Sequence, residues 1–297
     1  MKKLIDIHTH FLSKDYLDFL EQHNALLEDG FPMPRYDLKE HLELMKECNI
    51  EYSILSVSSP QPYFEGYDKE SIEMCSLLNK QMANLKNSHF GFFAILPLPN
   101  VQASIQEALY ALDTLRADGI KLASNSRGLY LGDKKLDPLM EVLNQKQAII
   151  TIHPHKPEPM NENVYSAGPI PLFEFISDTT RAVLNLIGND VILRYPNIKW
   201  IIPHCGSFLP NIYDRFISIS KIRKENIHII ESFKKLYFDV SGITNKKVIE
   251  PLLSITNENH ILYGSDYPFT PKKQIIHNLE YLPDIDFYSN AKKMFQD

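Results

Sequence analysis

The chain has 297 residues, 44% of them Ala, Val, Ile, Leu, Met, Phe, Trp, Tyr or Cys and 23% charged, with 11 glycines against 19 prolines. This composition excludes collagen-like, low-complexity and disordered chains. Its 31 Lys and Arg against 37 Asp and Glu give a formal charge of −6, so no global basic field exists to hold nucleic acid or an anionic membrane, and a small-molecule partner is expected.

Length alone allows two ordinary domains or one α/β barrel of roughly 250 residues. The first residues resemble a signal peptide until Asp6, His8 and His10 interrupt the apolar stretch, so the N-terminus reads as a mature start. Cys48, Cys75 and Cys205 are odd in number, far apart and free of CxxC spacing, which favours a reducing, cytoplasmic location over a disulfide framework or a thiolate zinc site. No apolar run reaches the length of a membrane span.

In chain order the pattern predicts a strand over Lys3–Ile7, a helix over Asp37–Cys48, a strand over Tyr52–Val57, a helix over Lys69–Leu85 and a strand over Phe90–Ile95. A helix over Ser104–Leu115, a strand over Gly119–Leu122, a helix over Asp137–Asn144 and a strand over Ala148–Ile152 follow. The second half reads as a helix over Phe173–Arg194, a strand over Lys199–Ile202, a helix over Leu209–Lys224, a strand over Leu236–Val240, a helix over Lys246–Ile255, a strand over Ile261–Gly264 and a closing helix over Phe287–Phe295. Strand-then-helix alternation implies parallel pairing, and eight units suit a (β/α)8 TIM barrel in a single domain, 1–297; an open doubly wound sheet fits the same rhythm. No GxGxxG or GxxxxGK[ST] run occurs, which removes the best signature of the open-sheet phosphate binders. The long connections Ser58–Asp68 and Pro154–Leu172 follow strands, so in a barrel they wall the face where chemistry sits.

Strict alternation along Asp6-Ile7-His8-Thr9-His10 turns both histidines to one side and Ile7 and Thr9 to the other. His153, His204 and Asp266 stand at the ends of the fifth, sixth and eighth strands. Four histidines and an aspartate at four strand exits favour a divalent metal with an open coordination position, because His and Asp suit zinc, manganese or iron and no thiolate closes the site.

These motifs, HTH at the first strand, HP at the fifth, HCG at the sixth and GSDYPF at the eighth, resemble the amidohydrolase superfamily. The similarity runs through DIHTHFL, SVSSP, FGFFAILPLP, DTTRAV and LYFDVSG to the aminocarboxymuconate-semialdehyde decarboxylase branch, nearest its methylsalicylate decarboxylase-like members. The resemblance implies one divalent ion, zinc ahead of manganese, on His8, His10, His153 and Asp266. It further implies that His204 shuttles a proton, that Asp266 helps protonate the carbon losing CO₂, and that Arg215, eleven residues after His204, binds the substrate carboxylate across a homodimer. A helix-surface salt bridge is the alternative for Arg215. A second substrate arginine of the muconate-semialdehyde enzymes has no clear counterpart; Arg35 is nearest.

Lys121 lies where other branches carry a carbamylated lysine; here it offers its ammonium to a substrate anion, or, carbamylated, bridges two metals. The expected activity is cofactor-free decarboxylation of a small aromatic or unsaturated carboxylic acid. The alternatives are metal-dependent hydrolysis of a lactone, amide or ester and, more remotely, a non-catalytic ligand-binding barrel. Asp239 reads as a carboxylate orienting a ligand imidazole, Asp6 as structural, Arg181 as half of an ion pair and His155 as a solvated loop residue. Tyr63, Phe64, Tyr165, Phe173 and Tyr267 are candidates for an aryl pocket.

Overall fold

Short β-branched and aromatic runs have both faces covered only when helices pack outside them and side chains fill the space inside. That is the arrangement of this chain in a computed structural model, which describes residues 2–160, 168–224, 227–242 and 244–296. Strands β1 (Leu4–His10), β2 (Ile50–Ser56), β3 (Phe90–Ile95), β4 (Gly119–Ala123), β5 (Ile149–His153), β6 (Lys199–Ile202), β7 (Leu236–Asp239) and β8 (Ile261–Leu262) lie side by side in chain order. Neighbours pair in parallel. The seam between β8 and β1 closes through Ile7 N–H to Tyr263 O at 3.0 Å, Asp266 N–H to His8 O at 2.9 Å and His10 N–H to Tyr267 O at 2.7 Å. The barrel, rather than the open sheet, is the fold.

Helices α1 (Lys14–Gln22), α2 (Leu38–Glu47), α3 (Asp68–Leu85), α4 (Val101–Leu109), α5 (Asp137–Gln145), α6 (Glu174–Gly188), α7 (Val191–Arg194), α8 (Leu209–Arg223), α9 (Ile229–Phe233), α10 (Lys246–Leu253), α11 (Lys272–Leu279) and α12 (Phe287–Gln296) accompany the strands. None is long and apolar enough to cross a membrane. Three differ from expectation by being extra: α1, α9 and α11 are short, and α1 depends on Ser13 accepting from Tyr16 N–H and on Tyr16, Phe19 and Leu20 turning inward. The helix expected over Phe173–Arg194 is two, because Asp190 adopts φ 53° between α6 and α7. The helix expected over Ser104–Leu115 starts earlier, at Val101, behind the N-cap Asn100, whose side chain accepts from Ala103 N–H, and ends in a π-helical turn over Tyr110–Thr114.

The barrel interior is filled by Ile5, Ile7, Ile54, Phe93, Ile149, Ile201 and Leu262 and closed at the amino end by Ala291 and Met294 of α12. Lys199, the first residue of β6, fixes α12 by donating to Met294 O at 3.0 Å. Burying side chains of this kind stabilises by roughly 1.5–3 kcal/mol each. Ile7 belongs to this interior, which corrects strict alternation. The register between β1 and β2 slips, with Asp6 opposite Ser53 but Thr9 opposite Leu55, so three steps on β1 answer two on β2. This bulge lets Ile7 and His8 both face inward, and His10 follows. Gly264 makes it possible, since a Cβ there would stand 2.7 Å from His8 Cβ.

Candidate metal centre and cavity

The bulge delivers His8 and His10 to the carboxyl end of the barrel, where β5 brings His153 and the segments after β6 and β8 bring His204 and Asp266. One ring nitrogen from each of His8, His10 and His153 lies within 4.8 Å of the others, and the same holds for His8, His204 and a carboxylate oxygen of Asp266. Asp266 Oδ1 is 3.0 Å from His10 Nε2 and 3.6 Å from His8 Nε2. The backbone is left-handed at His204 (φ 55°), Cys205 (φ 52°), Ser207 (φ 56°) and Asp266 (φ 63°). Conformations of this kind cost of order 1–3 kcal/mol each and persist where surrounding contacts hold them. Here the His204 N–H is held by Asp239 Oδ1 at 3.1 Å, and Asp266 by its bonds to His8 and Thr270.

Hydrogen bonds set the tautomers. His8 Nδ1 faces Asp239 Oδ2 at 2.8 Å and His153 Nδ1 donates to Pro154 O at 2.9 Å, which turns both Nε2 atoms to the centre. Burial disfavours the charged form of His8, but Asp239, Asp266 and Asp6 outweigh it and raise the pKa to about 9. Burial lowers His10 to about 4, and holds His153 well below and His204 below the ordinary imidazole value. Burial also opposes ionisation of Asp239, yet the charge and hydrogen bond of His8 bring it to about 2.

Three neutral-tending imidazoles therefore surround a carboxylate, with His10 Nε2 hydrogen-bonded to Asp266 Oδ1 at 3.0 Å. His8 Nε2, His10 Nδ1 and His204 Nδ1 are buried without a hydrogen-bond partner among the described residues. The orphaned His8 Nε2 lies 3.6 Å from Asp266 Oδ1 with His10, His153 and His204 gathered around it, a donor set that fits a divalent cation.

This floor opens into a cavity of about 490 Å³ lined by His153, His204, Cys205 and Asp266 and walled by Phe31, Met33, Phe175, Ile176, Val248 and Phe269, with Asp29, Ser58, Ser59, Pro171, Ser241 and Gly242 completing it. Both long connections contribute, through Ser58 and Ser59 and through Pro171. The aromatic walls are not those expected. Tyr63 bonds to Asp68, Phe64 stacks on His23, Tyr267 packs on His41, Phe173 is exposed, and Tyr165 lies outside the described residues.

Asp29 was not legible as a site residue, and it lines the cavity while buried. Burial raises its pKa to about 7. Lys121 is buried and donates to Ser58 O at 3.1 Å, with burial lowering it to about 8, but it is not among the residues lining the cavity. Arg215 is exposed on α8 and is likewise outside the lining. Arg35 is exposed and pairs with Asp37 and Glu40. Asp6 accepts from the His8 and Ser265 N–H groups, a structural task. His155 is buried, not solvated, because Ser124 and Gln61 hold its backbone and ring. Arg181 pairs with Asp178 at 2.8 Å as expected.

A parallel eight-stranded barrel with a cluster of His and Asp side chains at the carboxyl ends of its strands defines an α/β-barrel protein with its site at the carboxyl face. The amidohydrolase family profile matches residues 5–290, and the chain belongs to that family. It is 31% identical over 292 residues to the decarboxylase yanB of Aspergillus niger, covering 91% of this chain and 78% of that one. It is 26% identical over 300 residues to the 6-methylsalicylic acid decarboxylase of Penicillium expansum, covering 97% and 92%. A crystal structure of an amidohydrolase II superposes with a TM-score of 0.93 at 32% identity over 99% of this chain and 100% of that one. A dihydroxybenzoic acid decarboxylase from Polaromonas, which holds manganese and 2-nitroresorcinol, shares the fold with a TM-score of 0.85 at 20% identity, covering 100% and 97%.

Proposed function

We propose that the chain is a metal-dependent decarboxylase of a small aromatic carboxylic acid, using one divalent ion, zinc ahead of manganese. The observation that carries this reading is the placement of a focused His/Asp donor set at the floor of a hydrocarbon-walled cavity of about 490 Å³. The relatives named as decarboxylases support it.

His8, His10, His153 and Asp266 are read as the metal-holding set. A divalent ion there supplies the positive charge that draws the substrate carboxylate to the floor. Asp266 delivers a proton to the ring carbon bearing that carboxylate; the carbon–carbon bond then breaks, its electron pair returns to the ring and CO₂ leaves. His10, His8 and His204 hold Asp266 below its ordinary value against the opposing effect of burial, so its protonated form is a strong acid suited to a weakly basic carbon. His204, whose Nδ1 is unpartnered, relays the proton beside it.

Arg215 is read as the carboxylate-binding residue of a second copy in a homodimer, supported by its exposure on α8 beside the exposed Ile219 and Ile222. Lys121 acts through the Ser58 carbonyl rather than by touching substrate. That position gives no support to a metal-bridging carbamate, and so none to the hydrolase alternative. One domain over 1–297 is supported by a donor set spanning His8 to Asp266, and a reducing, cytoplasmic location by three buried free thiols.

Metal analysis of protein purified without added ions, paired with a CO₂ assay over hydroxybenzoate-like and muconate-like acids, tests the reading. The expected result is about one bound divalent ion per chain and CO₂ release that chelation abolishes and zinc or manganese restores. Full activity in metal-free protein, or no CO₂ from any of these acids, overturns it.

A further inference from the structure

The run DTTRAV in α6 has no task in the chemistry above, yet its first residue, Asp178, ends a chain of hydrogen bonds that begins on a candidate metal ligand. His153 Nδ1 donates to Pro154 O at 2.9 Å. The same peptide unit carries the His155 N–H on its other side, and that N–H donates to Ser124 Oγ at 3.0 Å. Ser124 Oγ in turn donates to Asp178 Oδ2 at 2.5 Å. Imidazole, peptide, hydroxyl and carboxylate follow one another with every link pointing toward Asp178, and His153, Ser124 and Asp178 are all buried.

Further contacts fix the members of this chain. Ser124, the first residue after β4, also donates its own N–H to His153 O at 2.9 Å, so it holds the backbone of the histidine and, through the next peptide, its ring. Asn125 Nδ2 donates to Asp178 Oδ2 at 2.8 Å and to Lys156 O at 3.0 Å, which pins the loop after β5 from the same carboxylate oxygen. Tyr130 and Arg181 take the other oxygen, Oδ1, which leaves Oδ2 to the loop. Hydrogen bonds aligned head to tail polarise one another, and a carboxylate at the accepting end makes each acceptor before it stronger. The Pro154 carbonyl is therefore a better acceptor for Nδ1–H than an isolated peptide, and Nε2 is the more basic for it.

We propose that Asp178 is a positioning residue for His153, acting through Ser124 and the Pro154–His155 peptide to keep Nδ1 protonated and Nε2 turned to the centre. This rests on the reading of His153 as a metal ligand and extends it to a carboxylate that touches neither the histidine nor the cavity lining. His8 meets its carboxylate, Asp239, directly at 2.8 Å; His153 reaches Asp178 across a peptide and a hydroxyl. Ser124 accepts one hydrogen bond and donates another, which a threonine hydroxyl reproduces and an alanine methyl cannot.

Two measurements on the full chain test this. The first is zinc affinity by competition with a chelator: Ser124→Ala is expected to weaken it about 10–100-fold, Asp178→Asn about tenfold, and Ser124→Thr by less than about threefold. The second, which a general loosening would not move, is the tautomer of His153 in the metal-free protein, read from long-range nitrogen–proton correlations of histidine-labelled samples and assigned with His153→Gln. Wild type and Ser124→Thr are expected to hold the Nδ1–H form, and Asp178→Asn and Ser124→Ala to show a mixture with the Nε2–H form. Thermal unfolding confirms that each variant folds. Zinc affinity unchanged in both disrupting variants overturns the proposal. So does a fall in affinity with His153 still wholly in the Nδ1–H form, which marks a merely structural loss. A wild type that binds no zinc sinks the metal reading instead, and the tautomer then decides by itself whether Asp178 acts on His153.

Discussion

Asp239 on the floor and Asp29 on the wall are both buried carboxyls, and their surroundings push them in opposite directions. Asp239 faces His8 Nδ1 and accepts from Ser241 N–H and Oγ and from His204 N–H, and the charge of His8 carries it down to about 2 against the opposing effect of burial. Burial drives Asp29 up to about 7, and the Ser59 hydroxyl and the charges of Lys156 and Lys121 oppose it too weakly to bring it back. Burial sets the cost in both places, and partners decide whether it is met. The floor therefore keeps its carboxylate charged, whereas the wall favours a neutral carboxyl.

The strongest way to break the contrast is at the floor. Asp266→Asn keeps the shape of the side chain but removes an anionic donor and the proposed proton source. We expect kcat for CO₂ release to fall by about 10³-fold or more with the far-ultraviolet circular dichroism unchanged. Activity within tenfold of wild type would remove Asp266 from the chemistry.

The wall predicts the opposite sign, a gain. The folded pKa of Asp29, about 7, lies above the unfolded value of about 3.9, so between these pH values the native state binds more protons than the unfolded state. Its contribution to stability is intact below about pH 4 and is lost as pH rises through 7. Asp29→Asn removes that loss. We expect it to be more stable than wild type by about 2–4 kcal/mol at pH 8 in urea unfolding, with the difference gone at pH 4. An equal difference at both pH values would show that the carboxyl is not protonated on folding.

Asp239→Asn sharpens the comparison at intermediate size. The amide cannot hold His8 Nδ1–H as a carboxylate does, so the imidazole loses its preferred tautomer and orientation. Zinc affinity, measured by competition with a chelator, is expected to drop about 10–100-fold. An unchanged affinity would mean that His8 is not a ligand.

The floor was legible in the sequence and the wall was not, for a physical reason. His8, His10, His153, His204 and Asp266 fall at strand ends, and a parallel barrel must bring those ends together whatever its loops do. Asp29, Phe31, Phe175 and Phe269 lie on connections and helix starts, where the direction of a side chain depends on contacts such as Asp29 O to Ile170 N–H that no local pattern announces. That is why the expected aromatic wall named the wrong rings. The β1 bulge escaped strict alternation for a related reason. It depends on Gly264, distant in sequence, leaving room beside His8. Asp190 between α6 and α7 broke an apolar periodicity that continued across it.

A third buried carboxyl, Asp178, supplies the smallest expected effect and a control for the other two. Ser124 Oγ at 2.5 Å, Asn125 Nδ2 at 2.8 Å and Tyr130 OH at 2.5 Å already donate to it, and Arg181 adds a fourth partner from a side chain that is 52% exposed. If partners decide the cost of burial, removing one donor of four, and the one that water can replace, changes little. Arg181→Ala is expected to lower stability by less than about 1 kcal/mol and to leave kcat/KM within twofold. A loss several times larger would mean that the charge of Arg181, rather than the neutral donors, keeps Asp178 tolerable in the interior, and the contrast between Asp239 and Asp29 would then have to be drawn in terms of nearby charge rather than completed hydrogen bonding.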